Sequence, residues 1–477
     1  MKKETTAGIT VKKEVDFSEW YTQVILKSGL ADYSAVSGCI VFRPLSYSIW
    51  ENIRQLTDER IKKIGVENAY FPLFIPEHLL SREKEHVEGF SPEVAWVTQG
   101  GNTPLSERLA VRPTSEAIMY DSYSRWIRSW RDLPLRLNQW NSVVRWEFKH
   151  PVPFLRTREF LWNEGHTAFA TKEEADREIV QILDIWKDIV NNFLALHGVV
   201  GKKSDKEKFA GALATFAMEF IMPNGRTIQG PDAHSDGQNF AKAYDIKFVD
   251  RDEQEKYVWQ NTWAITTRMI GVMVAIHSDN KGLVIPPHIA PNKVVIIPIY
   301  KEETKKLVLH ETKKIGRKLK DFTPIIDDRD EYSPGWKFNE WELKGIPVRI
   351  EIGPKDIEKK SVVVVRRDTG QKEIVEDPHL SKRLSEILEE MHQNLFLKSK
   401  HFFEDHIEKA TSVQEFITVI ENKNVPFAHF CGNPECEELL KEKSGGVTSR
   451  VIKEERSGTC IVCNKSAKDI FFFGKAY

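Results

Sequence analysis

The sequence predicts an α+β fold, divided among several domains, from three features of the chain. Two strand-like stretches, WNSVVRWEF and REFLWNEGH, flank a loop with two prolines and are typical of an antiparallel pair. After residues 286–291 strands alternate with helices, which indicates a compact α/β domain with some parallel pairing. Four cysteines lie close to the end of the chain, which suggests a separate small unit. We therefore expect domains at residues 1–290, 291–405 and 406–477.

Composition and charge exclude several classes of protein. The chain has 477 residues, of which 41% are apolar and 29% charged, too apolar for a disordered chain. Lys plus Arg number 69 against 70 for Asp plus Glu, which argues against a purely electrostatic nucleic-acid coat but allows a local basic surface. The N-terminal stretch lacks the apolar core of a signal peptide, and no apolar run could span a bilayer. We expect a cytoplasmic protein with no membrane partner.

Besides the antiparallel pair, two helices and one short strand are predicted in the first 200 residues. Apolar residues recur at helical spacing in LSYSIWENIRQLTDERIKKIG, over residues 45–65. The apolar run AYFPLFIP follows, and Pro72 inside it favours an edge strand or an interface. Thr171 and Glu174 form the pattern of a capping box, which predicts a long helix that ends at Gly198.

The middle of the chain reads as strands and helices in turn. KVVIIPIY is a buried strand, followed by the Lys-rich helix KEETKKLVLHETKKIGRKLKD and the strands IPVRIEIG and KSVVVVRRD. An amphipathic helix closes the domain with an apolar face formed by Leu380, Leu384, Ile387, Leu388, Met391 and Leu395.

The stretch RWEFKHPVPFLRTREFLWNEGH concentrates charge beside aromatic rings. Arg145 and Glu147 are two residues apart on one predicted strand, and Arg156 could reach back from the loop. Arginine forks bind phosphate oxygens in pairs, and aromatic rings offer flat walls to a base. The stretch therefore indicates a nucleotide polyphosphate site, although a salt-bridged surface hairpin would show the same residues.

Several motifs together resemble one family of enzymes. The proline-containing strand near Pro72, the strand–loop–strand with an arginine on each arm, and Arg268 before an apolar helix resemble the three signature motifs of class II aminoacyl-tRNA synthetases. RPTSE, FLRTREFLWNEGHTAFAT, GQNFAKAYDIKF, GLVIPP and KFNEWELKGIPVRIEIGPKD resemble the prolyl-tRNA synthetases in particular, in their archaeal and eukaryotic type. The resemblance extends over residues 15–477.

The resemblance implies a reaction and its participants. It implies an antiparallel-sheet catalytic domain, an α/β anticodon-binding domain and a small C-terminal zinc-binding-type domain, in a homodimer with Pro72 at the interface. The implied reaction joins L-proline to tRNA(Pro) with ATP and Mg²⁺, through prolyl-adenylate and then transfer to the 3′-terminal adenosine. The segment between His166 and Arg226, largely one predicted helix, leaves no room for an editing domain.

Individual site residues follow from the same resemblance. It implies that Arg145 and Arg268 are the catalytic residues, and that Arg145 contacts both the α-phosphate of ATP and the carboxylate of proline. The implied ATP-binding residues are Arg145, Glu147, Arg156, Thr157, Gln229, Thr266 and Arg268. The implied proline-binding residues are Phe90, Thr114, Glu116, Arg145, Trp162, His166, Asp232 and His234.

The segment QGPDAHSDGQNF departs from the family pattern, which usually has threonine where Asp232 stands. Asp232 would add an anion beside the site for the secondary ammonium of proline, next to Glu116. One hypothesis is that Asp232 helps to hold that ammonium, and the alternative is that it forms only local bonds within a loop.

The last two domains carry further candidates. Unpaired tRNA bases are recognised by edge hydrogen bonds and stacking, and the candidate anticodon-binding residues are Lys337, Glu340, Arg349 and Lys355, although each alone would also suit a solvated surface. Cys431, Cys436, Cys460 and Cys463 form two close pairs, which favours structural zinc over redox chemistry.

Two other functions stay open on the sequence. A sister enzyme specific for threonine, serine or glycine would share the class II motifs, but RPTSE and GHTAFAT disfavour it. A synthetase-like regulatory protein without catalysis is disfavoured by the retained Arg145, Arg156 and Arg268, and favoured by the altered segment around Asp232.

Overall fold

The structure is a computed structural model, and it describes residues 8–86, 93–147 and 151–477. Its elements form three groups along the chain, each around its own sheet. The helices of the first group are α1 (Phe17–Lys27), α2 (Pro44–Lys63), α3 (Glu77–His86), α4 (Glu116–Trp126), α5 (Lys172–Asn192), α6 (Asn239–Tyr244) and α7 (Arg268–His277). Its strands are β1 (Ala31–Tyr33), β2 (Ile40–Phe42), β3 (Glu67–Asn68), β4 (Phe74–Pro76), β5 (Trp96–Gly100), β6 (Thr103–Val111), β7 (Leu135–Val144), β8 (Glu159–Phe169), β9 (Val199–Lys202), β10 (Ala214–Ile221), β11 (Thr227–Gly237), β12 (Lys247–Val249), β13 (Glu255–Tyr257) and β14 (Trp259–Ala264).

A seven-stranded sheet dominates the first group, in the order β3-β7-β8-β14-β11-β10-β9. All neighbours run antiparallel except β3 and β7. The antiparallel pair predicted around the two prolines is β7 and β8, in register from Leu135–Ala168 to Val144–Glu159. Strand β7 ends before Arg145, so Arg145 lies at the start of the loop and not within the strand.

Helix α5 packs on one face of this sheet, and α4 and α6 cover part of the other face. The predicted capping box is present, because the Thr171 hydroxyl and the Glu174 carboxylate each bond to the backbone of the other residue. The helix ends at Asn192, six residues before the predicted end at Gly198. The residues after it leave the helix because Leu194 and Leu196 turn into the core and are fully buried. The face opposite α5 carries the charged side chains described below.

The helix predicted over residues 45–65 is confirmed as α2, at residues 44–63. The predicted strand over residues 69–76 is shorter, because only Phe74–Pro76 pairs, with β6. Pro72 lies just outside that strand. Tyr70 is 71% exposed next to it, which leaves apolar surface on this side of the molecule.

The second group is the predicted α/β unit. Its strands are β15 (Val294–Pro298), β16 (Ile325–Ile326), β17 (Val348–Ile352), β18 (Ser361–Arg366) and β19 (Lys372–Glu376). Its helices are α8 (Lys305–Lys318), α9 (Pro334–Leu343), α10 (Pro354–Glu358) and α11 (Leu380–Asp405). The order β16-β15-β17-β18-β19 has two parallel pairs at one end, as the sequence predicts. All six residues of the predicted apolar face of α11 are buried.

The third group packs a sheet against two helices. Its elements are β20 (Ile407–Lys409), α12 (Val413–Glu421), β21 (Val425–Phe430), α13 (Pro434–Lys443), β22 (Val447–Thr459) and β23 (Ser466–Lys475). The sheet has the order β20-β21-β23-β22 and encloses a core rich in phenylalanine. Throughout the described parts of the chain, no helix combines the length and the apolar character needed to cross a bilayer.

Buried ion pairs join the third group to the first. Arg450 of β22 donates to both carboxylate oxygens of Glu219 in β10, with Nη2–Oε1 at 3.0 Å. The Nζ of Lys203 lies 3.5 Å from the same carboxylate. Beside them, the Ser449 hydroxyl bonds to the Ser204 hydroxyl at 2.8 Å. These charges are shielded from water, so each depends on its partners.

Replacing Arg450 with methionine is expected to lower the free energy of unfolding by about 3 kcal/mol, because Glu219 would stay buried without the partner that bonds to both of its carboxylate oxygens. Urea denaturation measures the loss. Lys453→Met is the control, since Lys453 lies on the same strand but is exposed, above the Phe427 ring. Equal losses in the two variants would contradict a stabilising role for the buried pair.

Candidate active site

A cavity of about 250 Å³ opens on the face of the seven-stranded sheet opposite α5. Twelve of the fourteen residues predicted to bind ATP or proline line it: Thr114, Glu116, Arg145, Arg156, Thr157, Trp162, His166, Gln229, Asp232, His234, Thr266 and Arg268. They come from β8, β11 and the starts of α4 and α7, and from the loops after β7 and β14. The fold thus gathers residues that lie more than 150 positions apart into one site.

Two predicted residues are not placed in the cavity. Glu147 follows β7 at a point where the chain has left the sheet, and its side chain is exposed outside the cavity. The backbone N–H of the preceding Trp146 bonds to the carbonyl of Glu93, at 2.9 Å, which directs this segment away. Phe90 lies outside the described residues.

Strand β8 lines the cavity with three alternating side chains, Trp162, Glu164 and His166. Glu164 accepts hydrogen bonds from the backbone of Ser115, at 3.0 Å, and from the amide of Asn141, at 2.5 Å. His166 Nε2 lies 3.1 Å from the Glu164 carboxylate. Burial alone would raise the pKa of Glu164, but His166, Ser115 and Asn141 together outweigh burial and lower it. Burial alone would lower the pKa of His166, but the carboxylates of Glu164, Glu116 and Asp236 together raise it.

Sequence reasoning missed Glu164, which is buried at the centre of this wall. The signal was present, because Glu164 lies midway between Trp162 and His166 in a strand with period two. It also missed Lys203, which reaches the cavity from the connection between β9 and β10. No local pattern marks Lys203, since only the sheet order brings that connection to the site.

Thr114 and Glu116 sit at the start of α4, deep in the cavity. The Thr114 hydroxyl donates to the Glu116 carboxylate, and both residues are buried. Their position at a helix N-terminus adds the positive end of the helix dipole beneath this carboxylate. The pair presents an ordered anion to any ammonium group that enters.

Arg145 and Arg268 supply two guanidinium groups to the same cavity. Arg145 is held by a bond from Nε to the Pro113 carbonyl, at 3.1 Å, and its Cζ lies 5.4 Å from the ring of Trp162. Arg268 bonds to the carbonyls of Leu155, at 3.2 Å, and Gln229, at 3.1 Å. Burial, together with the positive charge of Arg145, lowers the pKa of Arg268 to about 10. Two cations so placed favour a bound anion.

Asp232 joins two lining residues and does not point away. Its Oδ2 accepts from Gln229 Nε2 at 2.7 Å and lies 3.5 Å from His234 Nε2. Burial alone would lower the pKa of His234, but Asp232 and other carboxylates raise it. The carboxylate of Asp232 therefore lines the cavity from a strand, although its two side-chain contacts are to residues of that same strand, Gln229 and His234.

The candidates for anticodon binding have different surroundings. Lys337 is buried, because α9 turns its Nζ towards the carbonyl of Asp327, at 3.1 Å. It therefore does not face solvent. Glu340 bonds to Lys344 at 2.7 Å and also pairs with Arg329.

Other side chains of this group are better placed for contact. Arg349 pairs with Glu351 at 2.9 Å, whereas Lys355 is exposed. Tyr332 and Trp336 stack at 3.9 Å between ring centroids and keep 36% and 38% of their surface exposed. This stacked pair is an aromatic platform that the sequence reasoning did not single out.

The four C-terminal cysteines come together at the edge of the third sheet. Cys431, Cys436, Cys460 and Cys463 place their sulfur atoms within 4.8 Å of one another. Two are buried and two partly exposed, and all four are free thiols. Such a set fits the tetrahedral sulfur coordination of zinc.

Family models match three successive parts of the chain. Residues 97–277 match the tRNA synthetase class II core domain (G, H, P, S and T), and residues 293–389 match an anticodon binding domain. Residues 413–477 match the prolyl-tRNA synthetase C-terminal domain. The protein is thus a class II aminoacyl-tRNA synthetase.

Whole-chain relatives define the family within that class. The chain is 50% identical to a proline--tRNA ligase of Natranaerobius thermophilus, over 99% of both chains. It is 47% identical to a putative proline--tRNA ligase of Saccharomyces cerevisiae, over 98% of this chain and 73% of the relative, and 47% identical to proline--tRNA ligase 2 of Bacillus thuringiensis, over all of both chains. The chain belongs to the proline--tRNA ligase family.

Proposed function

We propose that this protein attaches L-proline to tRNA(Pro) in two steps, first forming prolyl-adenylate from ATP and then transferring the prolyl group to the 3′-terminal adenosine. The observation that carries the proposal is one cavity that holds both an ordered carboxylate, that of Glu116, and two guanidinium groups, those of Arg145 and Arg268. Membership in the proline--tRNA ligase family supports it. The sequence-based division at residues 290 and 405 remains part of the proposal, and the spans of the three family matches support it.

The guanidinium groups of Arg145 and Arg268 suit the phosphates of ATP. In the first step the carboxylate of proline attacks the α-phosphorus and pyrophosphate leaves, so negative charge develops on phosphate oxygens. Arg145 and Arg268 would neutralise that charge from fixed positions, which lowers the barrier without any protein nucleophile. Arg156, Thr157 and Thr266 would bind the rest of the nucleotide.

The metal ion of this step would be Mg²⁺, which prefers oxygen ligands. Gln229 offers a side-chain oxygen beside Arg268, since its Nε2 is bonded to Asp232 and its backbone carbonyl accepts from Arg268. Mg²⁺ usually keeps several waters and takes further ligands from substrate phosphates. When bound, Mg²⁺ supplies charge neutralisation between phosphate oxygens.

The part of the cavity around Glu116 suits proline. Its secondary ammonium would donate to Glu116, which Thr114 holds in place, while Arg145 binds the carboxylate. Trp162 offers a flat wall to the apolar ring. His166 and His234 would close the pocket, and the contact of Asp232 with His234 supports a second carboxylate in the pocket wall.

The other two groups would serve tRNA binding and stability. In the second group, the exposed Lys355 and the stacked pair Tyr332 and Trp336 would contact unpaired anticodon bases. In the third group, the four cysteines would hold structural Zn²⁺. A homodimer through the surface around Pro72 would cover the exposed Tyr70. A cytoplasmic location remains a prediction from the sequence.

The decisive test is ATP–pyrophosphate exchange with each standard amino acid offered in turn. We expect exchange with proline and with no other standard amino acid. Exchange with threonine, serine or glycine would instead indicate a sister enzyme. No exchange by folded protein, measured with an active proline--tRNA ligase as positive control, would indicate the non-catalytic function.

A further inference from the structure

One corner of the cavity is more polar than proline requires. Asp232, His234 and Asp236 alternate along β11 and share one face. On the neighbouring strand β14, Thr262 pairs directly with His234. Thr262 and Asp232 line the cavity, and Asp236 lies behind them, close to Thr262, His234 and Glu116.

Several oxygens in this corner are left without hydrogen bonds. Asp236 is fully buried, and neither of its carboxylate oxygens has a hydrogen-bond partner among the described residues. Within the same described part of the chain, the hydroxyl of Thr262, which is 5% exposed, and Oδ1 of Asp232 also have none. Buried polar atoms are normally paired, because an unpaired one costs about 1–3 kcal/mol. Asp232 and Thr262 lie on adjacent strands and both face the cavity, which indicates a place where a ligand supplies partners for them.

Proline does not supply them. Beyond its carboxylate and secondary ammonium, proline has only an apolar ring, and the ammonium is already provided for by Thr114 and Glu116. The unpaired atoms are carboxylate and hydroxyl oxygens, all of which accept hydrogen bonds. Burial raises the pKa of Asp236 to about 7, so near neutral pH this carboxyl can also exist as the neutral acid. The missing group is therefore a hydrogen-bond donor attached to the ring.

We propose that this cavity accepts an imino acid whose ring carries a hydrogen-bond donor, either a hydroxyl or an amine, and that Asp232, Thr262 and Asp236 are the residues that select it. The inference rests on the proposed function, since it takes the proline site as its starting point. The ring substituent donates to Oδ1 of Asp232, and an amine substituent, which has further protons, also donates to the Thr262 hydroxyl. Asp236 accepts from Thr262 and fixes the direction of that hydroxyl.

The physical basis of the selection is the cost of unpaired groups. A site built to bond a substrate hydroxyl disfavours the analogue without it, because the buried partners stay unsatisfied. Filling even one of these positions would favour the substituted ring by roughly tenfold, the equivalent of about 1.4 kcal/mol. Carboxylates bond both neutral and cationic donors, so a hydroxyl and an amine are both candidates.

The test compares ring-substituted imino acids with proline in ATP–pyrophosphate exchange. The full-length enzyme is offered proline, both diastereomers of 4-hydroxyproline, and both of 4-aminoproline. We expect kcat/KM for at least one substituted imino acid to equal or exceed that for proline. Preference for the hydroxyl compounds identifies a neutral donor, and preference for the amino compounds identifies a cationic one; either supports the proposal.

Variants assign the effect to this corner. In Asp236→Leu and in Thr262→Val the ratio of kcat/KM for the preferred substituted imino acid to that for proline is expected to fall at least tenfold. Ser235→Ala is the matched control, because Ser235 lies on the same strand but does not line the cavity, and its ratio is expected to match the unaltered enzyme. Thr262→Val keeps the shape of the side chain, so it remains informative if Asp236→Leu does not fold.

Two outcomes overturn the inference, and they differ in what they say of the proposed function. Exchange with proline, but at least tenfold weaker exchange with every substituted imino acid, overturns the inference and leaves the proposed function intact. No exchange with any imino acid overturns both. A ratio that stays the same in both variants also overturns the assignment to Asp236 and Thr262.

Discussion

Replacing Arg145 with alanine is expected to reduce proline-dependent ATP–pyrophosphate exchange by about 100- to 1,000-fold. In the proposed function Arg145 would contact both reactants, from a position fixed by the carbonyl of Pro113 and by the ring of Trp162. Its loss removes charge stabilisation where phosphate charge develops in the transition state. It also removes the partner of the substrate carboxylate. Steady-state exchange at varied ATP and proline measures kcat and both KM values.

Arg131→Ala is the matched control for this experiment. Arg131 also lies above a tryptophan ring, 4.8 Å from that of Trp130, but it is exposed and outside the cavity. Its exchange rate is expected to stay within about twofold of the original, since it makes no contact with the site. A similar loss in both variants would point to general destabilisation, and a normal rate in Arg145→Ala would refute the proposed role.

The second large effect is expected at the cysteine cluster. Purified protein should contain one zinc ion per chain, and Cys436→Ser should abolish it and lower the melting temperature by roughly 5 °C or more. The reason is that metal binding to four convergent thiolates contributes directly to folding. The adjacent Glu437 accepts a hydrogen bond from the Ser449 hydroxyl at 2.7 Å. If α13 becomes less ordered, the hydrogen bond between Ser449 and Ser204 is therefore expected to weaken as well. Metal analysis and thermal denaturation measure the two effects.

Cys39→Ser provides the control for thiol replacement. Cys39 is the remaining cysteine of the chain and lies outside the cluster. Its replacement is expected to leave the zinc content unchanged. If the purified protein contains no zinc and Cys436→Ser leaves its melting temperature unchanged, the cluster is a set of packed thiols.

Much of the architecture could be predicted because its signals are local. The capping box at Thr171 and the apolar face of α11 each depend on residues within a few turns of one another. The strand pair β7 and β8 could be predicted from two apolar–aromatic stretches around prolines. The end of α5 could not, since Leu194 and Leu196 leave the helix for a core assembled from distant elements.

The candidate site divides in the same way. Arg145, Glu116 and Arg268 could be named because each lies in a motif that resembles the synthetase family. Lys203 could not, because only the arrangement of β9 and β10 brings it to the cavity. Lys337 illustrates the opposite error: a lysine in a charged segment suggests a solvated surface, but α9 buries it against Asp327.

The pair of Arg450 and Glu219 also has a consequence for biosynthesis. The two residues are 231 positions apart, so the ribosome exposes β10 long before it makes β22. Until then Glu219 lacks its arginine partner, and β22 does not yet pack against β9 and β10. Long-range contacts of this kind slow folding and leave intermediates prone to aggregation. We therefore expect nascent chains halted before Arg450 to depend on chaperones, and the first group to mature only after the third has emerged.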